Sequence, residues 1–176
     1  SLDKVIATGI PALIFLIAKG IKIGKHEGKI DLKDIKRWRE LSNKLGSKLI
    51  LPVDFIDEDR RSVSKLPSNK LLLDIGPKSL NGFEKIILNS KKIVVKGTPG
   101  VYEDERFRDG TKRVLESIAK SKGFSVVLGG DTTSALKLLN IDKSRFSFVS
   151  LSGGTALAYL AGKRLIGVEV LGKWKL

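Results

Sequence analysis

The chain has 176 residues, of which 41% are hydrophobic and only 6% aromatic, so one domain with a core of Ile, Leu and Val is expected. It contains no Cys and a single His, His26, which excludes disulfides and thiolate or poly-His metal sites and disfavours a Ser-His catalytic triad. Its net charge of +14 attracts nucleotides, phosphorylated metabolites and nucleic acid, although scattered basic residues are also typical of an ordinary solvated surface.

The longest apolar run covers residues 10–18, which is far shorter than the roughly 18 or more residues needed to span a membrane. No charged segment and small-residue cleavage site flank this run as they do in a signal peptide. We therefore expect a soluble, cytoplasmic protein without a membrane partner.

In the first half of the chain, short β-rich runs alternate with amphipathic segments. Pro11 suits the first turn of a helix, and Gly46 is typical of a helix C-terminus. Residues 54–69, rich in charge, Ser and Pro, are predicted to form a long surface loop. The predicted strands cover 4–8, 48–52 and 71–76, and the predicted helices cover 11–19, 31–46 and 79–89.

The second half is more regular. Its predicted strands cover 92–96, 124–128 and 146–150, and its predicted helices cover 111–121, 132–139 and 153–161. Short apolar strands that alternate with helices indicate one α/β domain, a three-layer, Rossmann-like parallel sheet with helices on both faces. In such sheets ligands bind beyond the carboxyl ends of the strands.

Glycines occur in four of the predicted strand-to-helix turns, at Gly9 and within residues 96–103, 128–133 and 150–156. Glycine lets the backbone approach a bound group closely. The helix that follows offers free N–H groups and a partial positive charge. These turns therefore indicate phosphate sites, although turns of this kind also use glycine for ordinary reasons.

Asp131 stands at the start of one predicted helix, next to Gly130. A carboxylate at this position repels phosphate unless a cation lies between them, so one interpretation is a ligand for Mg²⁺ that bridges nucleotide phosphates. The other interpretation is a helix N-cap, for which Asp and Thr are both favoured. The pattern alone leaves both open.

Six longer motifs occur along the chain: LGGDTTSALKLL (128–139), FSFVSLSGGTALAYLAGKRLIGVEVL (146–171), VVKGTPGVYEDERFRDGT (94–111), KLILPVDF (48–55), LLLDIGPKS (71–79) and VIATGIPALIFLIAKGIKIG (5–24). Together they resemble the C-terminal, nucleotide-binding domain of the phosphoglycerate kinase family, in which similar motifs occur in the same order. The resemblance runs through essentially the whole chain. It implies that residues 1–176 are such a domain, of archaeal character and incomplete at its N-terminus.

The resemblance also implies an activity for the whole enzyme. That enzyme would move a phosphoryl group between 1,3-bisphosphoglycerate and MgADP, giving 3-phosphoglycerate and ATP in glycolysis. The N-terminal domain that supplies the 3-phosphoglycerate site, and the first βα unit of the nucleotide domain, would be missing here. We therefore expect this chain alone to bind ADP or ATP weakly and to turn over nothing, and we do not expect nucleic acid as a partner.

The resemblance assigns roles to individual residues. Asp131 would contact the Mg²⁺ of the nucleotide, Glu103 would hold the ribose hydroxyls, and the backbone of Gly153 and Gly154 would cradle the transferring phosphoryl group. The other expected nucleotide contacts are Gly9 and Leu73 at the adenine, Gly100, Val101 and Tyr102 beside Glu103, and Lys96, Gly97, Gly129, Gly130 and Thr132 near the phosphates.

The chain also departs from the family pattern, mostly within the glycine motifs. Non-glycine residues stand at family glycine positions as Ala7, Thr8, Leu72, Leu128 and Ser152, while Lys96 and Thr98 replace the family's Asn and Pro. These changes bear on adenine affinity and on the geometry of the phosphate loops. Lys96 adds a positive charge near the phosphates.

Two other hypotheses remain open from the sequence. A divergent, non-catalytic domain would use its positive charge to hold nucleotides or other polyanions. If it bound nucleic acid, its affinity would fall by roughly 10³-fold or more between 50 and 200 mM salt. A remnant without a ligand would instead carry an open sheet edge that is prone to association.

Overall fold

The computed structural model describes residues 2–170. The strands found in this range are β1 (Val5–Ile6), β2 (Leu49–Ile50), β3 (Phe55–Asp57), β4 (Ser62–Val63), β5 (Leu72–Ile75), β6 (Lys92–Lys96), β7 (Phe124–Leu128) and β8 (Phe148–Ser150). The α-helices are α1 (Gly9–Ala18), α2 (Ile35–Leu45), α3 (Pro77–Leu88), α4 (Asp109–Lys120), α5 (Gly130–Leu138), α6 (Gly154–Leu160) and α7 (Ile166–Val170).

Parallel pairing dominates the architecture. β1 pairs in parallel with β2, and β6, β7 and β8 form a parallel sheet with β7 in the middle. Helices α4 and α5 connect successive strands of this second sheet, because parallel neighbours need a crossover connection. The predicted α/β class with a helix-flanked parallel sheet is thus confirmed.

The predicted surface loop over residues 54–69 is wrong. β3 pairs antiparallel with both β4 and β5 in this region. The turn between β3 and β4 is closed by the Asp57 carboxylate, which accepts the N–H groups of Asp59 and Arg61 at 3.0 and 2.8 Å. The charged residues of this segment therefore stabilise the turn, whereas the sequence suggested only that they are solvated.

Helix α2 begins at Ile35, four residues later than predicted. Before it, the N–H of Lys33 donates to the Asp31 side chain at 3.0 Å, a local bond that competes with helix formation. The helix packs on α1 through an edge-to-face contact between Trp38 and Phe15, with ring centroids 4.8 Å apart.

The main core lies between the parallel strands and helices α3, α4 and α5. Its largest fully buried members include Ile75, Leu80, Leu115 and Leu136. Both parallel sheets contribute to this one core, through partly buried residues such as Ile6, Ile50, Ile93 and Val95. The segments that follow β1 and β6 also approach each other, since a Cβ added at Gly9 would lie 3.2 Å from the Thr98 carbonyl oxygen.

Strand edges and one sheet face are left uncovered in the described part of the chain. Each strand at the end of a sheet has an unpaired edge there, among them β1, which pairs with β2 alone, and β6, which pairs with β7 alone. Within the β6–β7–β8 sheet, alternate residues on one face remain exposed, with Val94 at 48%, Phe124 at 57% and Phe148 at 56%. Helical cover is therefore incomplete on that face.

Over the described part of the chain, no helix has the length and apolar character needed to cross a bilayer.

Candidate functional site

A cavity of about 280 Å³ opens beyond the ends of β1 and β6 and runs along β5, whose four residues all line it. Five of the predicted nucleotide residues, drawn from three separate segments, meet on its walls: Gly9, Leu73, Gly100, Val101 and Glu103. The remaining lining is mostly apolar, and Glu103 is the exposed carboxylate. The cavity thus combines an apolar interior with an acceptor group at its mouth.

The wall of this first cavity is held by backbone contacts. Gly9 has a φ of +56°, and an added Cβ there would lie 3.2 Å from the Thr98 carbonyl oxygen. The N–H of Val101 donates to the carbonyl of Leu73 at 3.0 Å, which joins the loop after β6 to β5. A side chain at position 9 would therefore strain the backbone and narrow the gap between α1 and this loop.

A second cavity, of about 250 Å³, lies at the ends of β6, β7 and β8. Its walls contain the other predicted phosphate-side residues, namely Lys96, Gly97, Gly129, Gly130, Asp131, Thr132, Gly153 and Gly154. Apart from Leu128 they complete its lining. Backbone N–H groups, one cation and one carboxylate therefore face a common space.

Lys96 spans the two glycine turns of the second cavity. An added Cβ at Gly153 would lie 2.9 Å from Lys96 Cε, and one at Gly129 would lie 3.8 Å from Lys96 Cγ. The aliphatic part of this side chain therefore lies over both turns. Its ammonium group and the N-terminus of α5 both contribute positive potential to the cavity.

Asp131 lies in the first turn of α5, and Gly129 is the residue that precedes the helix, with a φ of 95°. The alternative prediction that Asp131 caps the helix is therefore wrong. Its side chain is exposed, and the hydrogen bonds and ion pairs of residues 2–170 do not include its carboxylate. Asp131 is thus available to a ligand.

Thr132 has a different environment from the one expected. Its hydroxyl accepts the N–H of Gly97 at 2.8 Å and donates to the carbonyl of Leu128 at 2.9 Å, and the residue is fully buried. Both of these hydrogen bonds join the Thr132 hydroxyl to backbone groups. It fixes the loop after β6 against the start of α5, and the hydroxyl contact expected with the phosphates is not available in this arrangement.

Tyr102 lines neither cavity. It is 8% exposed and belongs to the main core. Burial raises the pKa of its hydroxyl, and the negative charges of Glu103 and Asp131 raise it further. One of these carboxylates lines each cavity, so Tyr102 packs in the core beside residues of both cavities, and its contact with a nucleotide stays a prediction.

The walls of the first cavity also contain residues that the sequence motifs did not indicate, among them His26, Phe55 and Asp74. Phe55 was hidden by the mistaken loop prediction. Asp74 belongs to the LLLDIG stretch, and an acid inside an otherwise apolar strand was a signal that it has a structural partner. His26 shows no local pattern, because its hydrogen bond is made to Leu72, 46 residues away.

Asp74 is a buried carboxylate beside the first cavity. Its oxygens accept the N–H groups of Ile75 and Gly110 at 2.9 and 2.8 Å. Burial, with a smaller contribution from the negative charge of Asp109, raises the pKa of Asp74 to about 6, although these two hydrogen bonds lower it. The Asp74 carboxyl group therefore holds its proton more tightly in the folded chain than in the unfolded chain, where its pKa is near 3.8.

From this difference we expect Asp74 to lower the free energy of unfolding as pH rises from about 4 to about 6, by on the order of 3 kcal/mol in total. Urea unfolding of the wild type and Asp74→Asn at several pH values between 4 and 7 tests the prediction. The stability of the wild type relative to the variant should fall across this window. A difference that stays constant with pH would contradict it.

Comparison with known proteins gives consistent matches. The profile of the family described as Phosphoglycerate kinase matches residues 1–163. Proteins named phosphoglycerate kinase from Methanococcus maripaludis and Corynebacterium diphtheriae are 36% and 37% identical over 97% and 96% of this chain. The chain covers 44% of each of them, so it spans less than half the length of the curated relatives it matches.

Solved structures match as well. A phosphoglycerate kinase from Pyrococcus horikoshii superposes with a TM-score of 0.84 at 27% identity, over 98% of this chain and 46% of that one. A phosphoglycerate kinase from Coxiella burnetii superposes with a TM-score of 0.79 at 34% identity, over 96% of this chain and 46% of that protein. Both archaeal and bacterial proteins are thus similar to this chain, and its expected archaeal character stays a prediction.

Proposed function

Because this chain belongs to the phosphoglycerate kinase family, we propose that it forms the ADP- and ATP-binding part of such an enzyme. In the whole enzyme a phosphoryl group passes from the acyl phosphate of 1,3-bisphosphoglycerate to the terminal phosphate oxygen of ADP. The products are 3-phosphoglycerate and ATP, as in glycolysis. Residues 1–176 are proposed to act as one nucleotide-binding domain.

The observation that carries the proposal is the path of the loop after β6. Lys96 and Gly97 line the second cavity, and the next residues, 98–101, line the first. One short segment therefore joins an apolar cavity to a glycine-rich cavity that contains a lysine. The two adjoining cavities suit the two ends of a nucleotide: the apolar cavity suits its planar base, and the glycine-rich cavity suits its anionic phosphates.

Within this arrangement each group has a proposed task. Leu73 and Val101 pack against the base, and the Glu103 carboxylate accepts hydrogen bonds from the ribose hydroxyls. In the second cavity Lys96 and the backbone N–H groups of Gly129 and Gly130 bind the phosphates. The hydroxyl of Thr132 keeps the two loops in register without touching the ligand.

Asp131 is the residue that would hold Mg²⁺. The described residues contain no group of three His, Cys, Asp or Glu side chains that could bind a metal by themselves. A single exposed carboxylate suits Mg²⁺, which usually takes one or two carboxylates together with substrate phosphates and water. When bound, the ion would neutralise phosphate charge that Asp131 would otherwise repel.

Phosphoryl transfer depends mainly on positioning and on stabilisation of charge. We propose that Gly153 and Gly154 leave room for the transferring group beside Lys96, because a side chain at position 153 would press on that lysine. The Lys96 ammonium would stabilise the charge that develops on the transferring oxygens. The carboxylate of 3-phosphoglycerate would be bound by the part of the relatives that lies outside this chain.

The unpaired edges of β1 and β6 offer a place for the additional βα unit that the family resemblance implies. Both strands contribute to one core, and neither edge is hydrogen-bonded to another described strand. A parallel strand inserted there would join the two parallel sheets into one. Phosphoryl transfer also requires that water be kept from the reacting groups, and we propose that this depends on the parts of the relatives that lie outside this chain.

The proposal is tested by titrating the chain with ADP in the presence of Mg²⁺ and by a coupled assay for phosphoglycerate kinase activity. We expect saturable binding at one site per chain and no turnover above the buffer rate, with a full-length relative as the positive control. No detectable binding up to millimolar ADP would contradict the proposed nucleotide site. Substantial turnover by the chain alone would contradict its proposed dependence on the rest of the enzyme.

A further inference from the structure

His26 lies on the wall of the first cavity, within a 3-10 turn at Lys25–Lys29. The residue is only 8% exposed, although the turn that carries it is mostly solvated. The 3-10 turn therefore holds an imidazole ring in the interior, next to the predicted nucleotide residues. The proposed roles of Glu103, Leu73 and Val101 do not use it.

The protonation state of the ring follows from its one hydrogen bond. Nδ1 accepts the backbone N–H of Leu72 at 3.2 Å, so Nδ1 carries no proton and the neutral ring carries its proton on Nε2. Burial lowers the pKa of His26, and the nearby positive charge of Lys29 lowers it further. At pH 7 the ring is therefore neutral, with a single N–H group.

The Nε2–H group has no partner within the described part of the chain. Among residues 2–170 no hydrogen bond involves Nε2, and this atom keeps some solvent-accessible surface. Nε2 is thus accessible even though the ring is almost entirely buried. His26 is a lining residue of the first cavity, so a ligand in that cavity lies next to the ring.

The other two titratable side chains on the cavity wall differ from His26. Both oxygens of Asp74 are occupied by backbone N–H groups, and Glu103 is exposed at the mouth. Most of the remaining wall is apolar, with Leu13, Phe55 and Val101 among its members. The interior thus suits a flat aromatic ring that carries a hydrogen-bond acceptor on its edge.

We propose that His26 is a specificity-determining residue, which donates a hydrogen bond from Nε2 to a ring nitrogen of the purine base. The inference rests on the proposed nucleotide function of this cavity. The Nδ1 bond to Leu72 fixes the orientation of the ring before a ligand arrives. A base without an acceptor nitrogen at that edge would leave the buried N–H unpaired, which disfavours its binding.

The test compares the wild type with His26→Asn and His26→Gln, using ADP, its 1-deaza, 3-deaza and 7-deaza analogues, and pyrophosphate as probes. The Asn side-chain oxygen can replace Nδ1 as acceptor for the Leu72 N–H while it removes the Nε2 donor. The Gln amide can instead place a donor near the Nε2 position. Thermal unfolding of each variant establishes that it is folded.

We expect His26→Asn to bind ADP roughly 3- to 10-fold more weakly and pyrophosphate unchanged, with part of the ADP affinity restored in His26→Gln. One deaza analogue should bind the wild type more weakly by a similar factor, and His26→Asn should bind that analogue and ADP alike. This pattern identifies the ring nitrogen that accepts the bond.

Other results would overturn the inference. Equal affinity of the wild type for ADP and all three deaza analogues would show that no ring nitrogen is bound, even if the variants fail to fold. An equal loss of ADP and pyrophosphate affinity in His26→Asn would show a structural role only. A wild-type chain that binds pyrophosphate but not ADP would contradict the proposed function itself, and the role of His26 with it.

Discussion

Replacement of Asp131 by Asn should abolish the effect of magnesium on ADP binding. We expect the affinity of the chain for MgADP to fall on the order of 10- to 100-fold, since even groups that only support metal ligands cost this much when they are mutated. The carboxylate is exposed and unpaired among the described residues, so its loss should not destabilise the fold.

The same variant should behave oppositely without the metal. In the presence of a chelator, the wild-type carboxylate repels the phosphates of ADP, whereas the amide does not. Asp131→Asn should therefore bind metal-free ADP at least as tightly as the wild type does. Titration calorimetry with and without Mg²⁺ measures both effects.

Glu40→Gln is the matched control for this experiment. Glu40 is exposed on α2, lines neither cavity and loses the same charge. It should leave ADP binding unchanged under both conditions. If Asp131→Asn keeps the full magnesium effect, or if Glu40→Gln reduces it equally, then Asp131 is not the residue that holds the ion.

Replacement of Gly100 by Ala should produce the largest loss of stability at the site. The added methyl group would overlap the Asp74 carboxylate and lie 2.7 Å from the Phe107 carbonyl oxygen. Asp74 cannot move away without losing its bonds to Ile75 and Gly110. We expect a loss of about 3 kcal/mol in the free energy of unfolding.

Gly82→Ala provides the control for this substitution. Gly82 lies within α3, and an added Cβ there would contact nothing within 4 Å. Because alanine favours a helix interior over glycine, this variant should gain about 0.5–1 kcal/mol. Urea unfolding measures both changes. If the free energy of unfolding of Gly100→Ala lies within 0.5 kcal/mol of the wild-type value, the loop after β6 can shift to accommodate the methyl group and the prediction is wrong.

The sequence predicted the second half of the fold better than the first, for a physical reason. Strands β6 and β7 have the predicted bounds, because each is a short, mostly apolar and β-branched run with helical segments on either side. The β3–β4 hairpin was missed because its buried Asp54 depends on distant partners. Its carboxylate accepts the N–H groups of Lys78 and Ser79, more than 20 residues away.

The site was predictable where glycine motifs mark the ends of strands. Gly9, Gly97 and Gly129 all have positive φ values and line one of the two cavities, as the turn pattern suggested. The tasks of side chains were harder to predict. Whether Thr132 faces a ligand or the backbone depends on Gly97, 35 residues away, and tertiary contacts of this kind leave no local pattern.

The central claim is that the two cavities form one nucleotide site, and amide chemical shifts of the ¹⁵N-labelled chain test it most directly. On titration with MgADP, the amides of Gly97, Thr98, Gly100 and Val101 and those of residues 129–132 should shift together, with a single dissociation constant. Magnesium pyrophosphate should shift the signals at residues 129–132 and leave those at Gly100 and Val101 in place. Shifts from MgADP that leave either set unmoved, or that saturate at different concentrations in the two sets, would contradict the claim.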